Sequence, residues 1–257
     1  MKTTEQTLST QQLLSIIENK RYGVEYQPIV EVSNLNIYAY EALSRFYGNH
    51  NQLIAPDLVF SALHHNPLSL FQVELAQKKL QLQHAPSHGK LFVNLDQDSF
   101  FACVDPDSSG QPVDINPFIE LFLKFTNNDL VVELIENSEI NDAKMSVEMI
   151  NLMASSNIST ALDDIFNEQS MISTTVLERV DFMKLDRFVV TNRQQSGFLL
   201  LVKAMIAYSK SAGKKTILEG VETAEDFEFA KSLGVDYVQG FLFKEQFVRF
   251  TPPEITG

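Results

Sequence analysis

The stretch Leu130-Val131-Val132-Glu133-Leu134-Ile135, followed by the helical spacing of Asn141 to Ser155 and then by Ile158-Ser159-Thr160-Ala161-Leu162-Asp163-Asp164, decides the fold. A short apolar run, an amphipathic segment and a second short apolar run make one strand-helix-strand unit. Working outward, similar runs recur at Val24 to Val30, Ile37 to Leu43, Leu91 to Leu95, Val180 to Leu185, Thr216 to Glu219 and Tyr237 to Gln239, which brings the number of strands to eight. Helical spacing at Pro117 to Phe125, Gly197 to Ala212 and Ala224 to Leu233 separates most of the later ones.

Eight strands alternating with helices predict an α/β fold, a TIM-like (β/α)8 barrel. The start of the chain departs from that scheme. Glu31 to Asn36 spans six residues, whereas a parallel crossover needs about a dozen or more, so the first strand is expected to run antiparallel. Two helices are expected before the third strand, Pro56 to His65 and Leu68 to Gln83, broken at Asn66-Pro67. Val104 to Pro117 reads as a surface insertion. With no Pro/Gly/Ser-rich linker, the chain reads as an N-terminal helical extension (1–20), one barrel domain (21–250) and a C-terminal tail (251–257).

The chain has 257 residues, 33 acidic against 20 basic, for a net charge of −13. Such a molecule repels a phosphate backbone, so bulk DNA or RNA binding is not expected, and a phosphorylated ligand would need a divalent cation to bring it in. The first twenty residues lack the apolar core and cleavage site of a signal peptide, and no run approaches a membrane span. Cys103 is the lone cysteine. These features point to a cytoplasmic protein.

A barrel of this type carries its site at the C-terminal mouth of the strands. The later strands deliver Asn94, Glu133, Asp163 with Asp164, Lys184, Glu219 and Gln239 there. Any one of these could simply cap the next helix. Four carboxylates converging on one mouth, however, repel each other unless cations neutralise them. Oxygen ligands select Mg²⁺, Mn²⁺ or Ca²⁺, and all five histidines lie at or before His88, outside this set. An Asp-Asp pair can place one carboxylate between two metals about 3.5–4 Å apart, the arrangement that activates water against a phosphodiester. No GxSxG, GxGxxG, GxxxxGK, HExxH or CxxC motif is present, so serine-triad, nucleotide-triphosphate and zinc chemistry lose support. Phe118, Phe122, Phe125 and Phe241 read as core.

Eight ordered motifs carry a resemblance. Tyr26-Gln27-Pro28-Ile29, Glu41-Ala42-Leu43-Ser44-Arg45, Phe92-Val93-Asn94-Leu95, Glu133-Leu134-Ile135-Glu136, Ala161-Leu162-Asp163-Asp164, Lys184-Leu185-Asp186 and Glu219-Gly220-Val221-Glu222-Thr223, with a closing Gln239-Gly240-Phe241, resemble the EAL-domain family of cyclic di-GMP phosphodiesterases. The resemblance implies hydrolysis of cyclic di-GMP to pGpG by two Mg²⁺ or Mn²⁺ ions, with Ca²⁺ inhibitory. It implies that Glu41, Asn94, Glu133 and Asp163 hold one ion and Asp163, Asp164 and Glu219 the other. Lys184 would contact the attacking water and Glu219 would act as general base. Gln27, Leu43, Arg45 and Gln239 would line the substrate, and Glu136 would anchor the loop after the aspartates. A homodimer is compatible with the family pattern, as is a protein partner.

That loop departs from the family. Where the pattern reads Asp-Asp-Phe-Gly-Thr-Gly, the chain has Asp163-Asp164-Ile165-Phe166-Asn167-Glu168. Glycine there would allow positive φ more cheaply than Phe166 or Glu168. Two readings result: an active phosphodiesterase, or a catalytically silent module that binds cyclic di-GMP or a protein partner.

Overall fold

The computed structural model describes residues 8–64, 66–102, 116–135, 140–169 and 171–253. The strands are β1 (Tyr22–Glu31), β2 (Ile37–Tyr47), β3 (Leu53–Ile54), β4 (Lys90–Asn94), β5 (Leu130–Ile135), β6 (Ser159–Ile165), β7 (Phe182–Leu185), β8 (Lys215–Leu218), β9 (Tyr237–Val238) and β10 (Val248–Phe250). The α-helices are α1 (Thr10–Glu18), α2 (Pro56–Leu63), α3 (Pro67–Gln83), α4 (Gln97–Phe101), α5 (Pro117–Lys124), α6 (Ile140–Ser155), α7 (Thr174–Leu177), α8 (Phe188–Thr191), α9 (Ser196–Ser211) and α10 (Ala224–Leu233).

Pairing runs β1-β9-β8-β7-β6-β5-β4-β2 and back to β1, which closes an eight-stranded barrel. β1 is antiparallel to both neighbours, β2 and β9, while the other pairs around the ring are parallel. The short Glu31 to Asn36 connection forces this reversal, as its length predicts. Two short strands lie outside the ring and were not expected: β3 pairs antiparallel with the end of β2 through Phe46↔Ile54, and β10 pairs with β1 through Val24↔Phe250 and Tyr26↔Val248.

The break between the two early helices falls where the sequence places it, because Asn66 caps α3 by accepting a hydrogen bond from the Ser69 N–H and Pro67 occupies the first turn. Residues 104–115 of the expected insertion lie outside the described residues, and its last two, Asn116 and Pro117, cap and open α5.

The barrel is filled by one apolar residue from each strand. Ile29, Ala39, Phe92, Val131, Ala161, Phe182, Ile217 and Tyr237 form a single buried cluster. The opposite strand faces pack under the helices in a larger core that includes Val93, Val132, Leu134, Leu162, Met183 and Leu218. Phe118 and Phe122 belong to that core, as expected. Phe241 does not: it is 57% exposed at the barrel mouth. It follows Gly240 at the end of the last strand, where the chain leaves the sheet in a 3-10 turn and alternation no longer dictates burial.

Candidate active site

Side chains two positions apart on a strand share a face. The residue two places toward the mouth from each member of the apolar cluster is therefore fixed: Gln27, Glu41, Asn94, Glu133, Asp163, Lys184, Glu219 and Gln239. For seven strands this residue follows the apolar one. In the reversed β1 it precedes it, Gln27 before Ile29. All eight are polar, so a layer of hydrogen-bonding and charged groups lies directly on an apolar floor.

Lys184 stands at the centre, fully buried. Its Nζ lies 2.8 Å from Glu133 Oε1, 2.8 Å from Glu219 Oε1, 3.0 Å from Asp163 Oδ1 and 3.5 Å from Glu41 Oε1. Glu41 is held from both sides, its Oε1 accepting from Asn94 Nδ2 at 2.9 Å and its Oε2 from Gln239 Nε2 at 2.6 Å.

Asp164 breaks the alternation. The β6–β7 register shifts between Leu162 and Ile165, and Asp164 takes a left-handed conformation with φ 58°. Its N–H donates to Asp163 Oδ1 at 2.9 Å. The irregularity brings both aspartates to the mouth. Oxygens of Glu41, Glu133 and Asp163, and again of Asp163, Asp164 and Glu219, fall within 4.8 Å of one another, with Asp163 common to both groups.

One ammonium cannot neutralise five carboxylates, and their acidities show it. Desolvation and the neighbouring Glu41 push Glu133 well above the ordinary carboxylate range, against the pull of Lys184. Desolvation also raises Asp163, and lifts Asp164 to about 6 with Asp163 adding to it. Glu219 reaches about 8 through desolvation, with Lys184 opposing and Asp163 and Glu41 contributing. Glu41 goes the other way: burial would raise it, but Lys184 and the donors Gln239 and Asn94 outweigh burial. Lys184 is held well above its usual value because the surrounding carboxylates overcome its own desolvation.

The donor set fits divalent cations. Both oxygens of the fully buried Glu133 lack a well-directed hydrogen bond, and the Lys184 contacts are ionic in character without hydrogen-bond alignment. Orphaned buried carboxylate oxygens are costly, and hard cations take oxygen ligands of this kind.

The raised acids also give a pH signature. A carboxylate whose folded pKa is elevated contributes stability that is present below its unfolded pKa and lost as pH rises through the folded value. For Asp164 and Glu219 that loss continues through about 6 and then about 8. Lys184, raised, loses its contribution only at higher pH still. In chelator the melting temperature is thus expected to fall between about pH 4 and about pH 8, and saturating Mn²⁺ to remove the slope. A flat profile in chelator, read by scanning calorimetry, would contradict this electrostatic account.

Gln27, Leu43 and Gln239 line the same mouth. Arg45 does too, but its guanidinium is engaged: Nη2 donates to Glu25 Oε1 at 2.6 Å and Nη1 to the Ser44 carbonyl at 2.9 Å. Glu25, buried, also accepts from Gln27 Nε2 at 2.9 Å and from Arg249 on β10. Sequence reasoning missed Glu25. A lone charge inside the strand run Val24 to Val30 was the available signal. Glu136 lies outside the described residues.

Two glycines hold the mouth together. A Cβ on Gly240 would sit 2.2 Å from the Val221 carbonyl oxygen, and one on Gly220, at φ 70°, 2.3 Å from Arg187 Cβ. These close approaches pin the turns that follow Glu219 and Gln239.

The altered loop keeps the conformation that glycine would favour. Phe166 adopts φ 72° and is 6% exposed, with its ring edge-on to Phe198 at 5.7 Å. A left-handed bulky residue costs about 1–2 kcal/mol, and burying an aromatic side chain is worth about 3–5 kcal/mol against truncation. Packing therefore wins. Phe166→Gly is expected to destabilise the protein by about 2 kcal/mol in urea unfolding and to give no gain in turnover. A rise in turnover would show that the phenyl ring itself distorts the site.

A closed α/β barrel with one reversed strand and an acidic, lysine-centred mouth defines the class. The chain belongs to the EAL domain family, whose model matches residues 9–246. It is 26% identical over 253 residues to the probable cyclic di-GMP phosphodiesterase PdeB of Escherichia coli, covering 93% of this chain and 46% of PdeB. The chain thus spans about half the length of that relative. Among solved structures it is similar to the PaMucR phosphodiesterase in complex with c-di-GMP (TM-score 0.72, 22% identity, 91% of this chain and 94% of the other). It is also similar to Klebsiella pneumoniae BlrP1 in a manganese and cyclic di-GMP complex (TM-score 0.68, 21% identity, 86% and 55%). Among the described residues no helix is long and apolar enough to cross a membrane.

Proposed function

We propose that this EAL domain hydrolyses one phosphodiester of cyclic di-GMP to pGpG with two Mg²⁺ or Mn²⁺ ions, in the cytoplasm. The observation that carries the reading is the pair of carboxylate groups sharing Asp163, one of them including the orphaned Glu133 oxygens. The relatives named above for that chemistry support it.

Glu41, Asn94, Glu133 and Asp163 would hold one cation, and Asp163, Asp164 and Glu219 the other. What the bound pair supplies is a water acidic enough to ionise near neutral pH and charge stabilisation of the phosphoryl oxygens. The chain's own residues do the rest. The Lys184 ammonium, with three donors and no acceptor, holds the water oxygen. Glu219 takes its proton. The oxygen bonds to phosphorus as the P–O3′ bond breaks, and the departing 3′ oxygen takes up a proton from solvent, leaving a 5′ phosphate and a free 3′ hydroxyl. Gln27, Leu43, Arg45 and Gln239 seat the dinucleotide, and Asn94 and Gln239 fix the Glu41 carboxylate.

Calorimetric titration tests the metal half of this reading. Two Mn²⁺ are expected to bind per chain, and absence of any Mn²⁺ uptake would overturn it. A silent binding module is the second reading, favoured by the substituted Ile165 to Glu168 loop. It predicts binding of intact cyclic di-GMP in Ca²⁺ and no turnover in Mg²⁺ or Mn²⁺.

A further inference from the structure

A cavity of about 570 Å³ runs from Glu41, Asp163 and Asp164 to a lobe walled by α2 and α3, a size typical of ligand sites. The permanent cations lining it are Arg45 and Lys78. Arg45 is committed to Glu25. Lys78 is held more loosely: the residue is 2% exposed, and its Nζ has one ionic neighbour among the described residues, Glu74 Oε1 at 3.4 Å. Glu74 Oε1 is itself occupied, accepting the Asp96 N–H at 2.9 Å.

An ammonium held by a single 3.4 Å ion pair keeps donors to spare, and here it lines a cavity continuous with the carboxylate cluster. The Phe60 ring stands in the same wall, edge-on to Phe46 at 5.5 Å. An ammonium offers donors and no acceptor, so it complements an edge carrying two acceptors. Guanine presents such an edge at O6 and N7, a common lysine contact, whereas adenine places an N6 donor beside N7.

We propose that Lys78 reads the O6 and N7 atoms of one guanine of the bound dinucleotide in the lobe beside Phe60, with Glu74 positioning the ammonium. This rests on cyclic di-GMP being the ligand of the mouth. Nothing in α3 announces it, since Glu74 and Lys78 at i,i+4 read as a solvated surface pair.

The test is equilibrium binding in Ca²⁺ of cyclic di-GMP, cyclic di-AMP and the cyclic di-GMP analogue with both N7 atoms replaced by C–H. The full chain is expected to prefer cyclic di-GMP over either by about tenfold or more. In Lys78→Met that preference is expected to collapse towards one, whereas a purely structural role would weaken all three ligands alike. Where Lys78→Met does not fold, the double variant Lys78→Met/Glu74→Gln removes the pair as a unit and is read the same way. Unchanged preference in the variant, or equal binding of the N7-substituted analogue by the unmodified protein, overturns the base-reading role while leaving the ligand intact. Failure of the unmodified protein to bind cyclic di-GMP overturns both this assignment and the function it rests on.

Discussion

Lys184→Met is expected to lower the stability of the metal-free protein by about 3–5 kcal/mol, the usual cost of removing one partner from a buried ionic cluster. The ammonium lies within 3.5 Å of four carboxylates from four different strands. Without it Glu41, Glu133, Asp163 and Glu219 face each other across a buried space, and the fold survives only by taking up protons. Urea unfolding in chelator reads the loss, and adding Mn²⁺ is expected to recover much of it, because cations then neutralise the same oxygens. A variant as stable as the parent in chelator would mean that Lys184 does not neutralise this cluster. Turnover is expected to be lost as well, since no other ammonium lies at the centre of the mouth among the described residues.

Glu41→Gln is expected to reduce turnover by more than about 100-fold, beyond the 10–100-fold typical of changes one shell out from a metal. The substitution keeps the side chain's shape and removes its charge. It also leaves one of the donors Asn94 Nδ2 and Gln239 Nε2 facing an amide N–H₂ where it now meets an oxygen. Mn²⁺ stoichiometry is expected to drop from two to one. Relief of repulsion within the cluster keeps the stability change small by comparison with Lys184→Met. A variant with parental turnover would remove Glu41 from the proposed ligand set.

Much of this architecture was legible because two periodicities coincide. Period two within each strand fixes which side chains face inward, and the strand-helix alternation fixes that eight such strands close. Together they bring Asn94, Glu133, Asp163, Lys184, Glu219 and Gln239 to one mouth from the sequence alone, whereas Glu41 is marked only by the resemblance. The reversed β1 was legible too, from the length of one connection. What escaped depends on tertiary context. Lys78 and Glu74 carry the spacing of an exposed helix pair, and only the packing of α3 against β1, β2 and α4 buries them. Phe241 is apolar yet exposed, because hydrophobicity alone does not say where a strand ends. Phe166 looks unable to take a glycine's conformation, but burial of its ring outweighs the backbone cost. Positive φ at Asp164, which brings the second aspartate into the mouth, leaves no trace in the residue type beyond the tolerance of Asp for that region.

Incubation of the purified chain with cyclic di-GMP and Mn²⁺, followed by chromatographic separation of the nucleotides, tests the central claim most directly. The carboxylate cluster around Lys184 predicts conversion to pGpG, abolished by chelator. Recovery of the intact cyclic dinucleotide, with Mn²⁺ present and the protein folded, would contradict it.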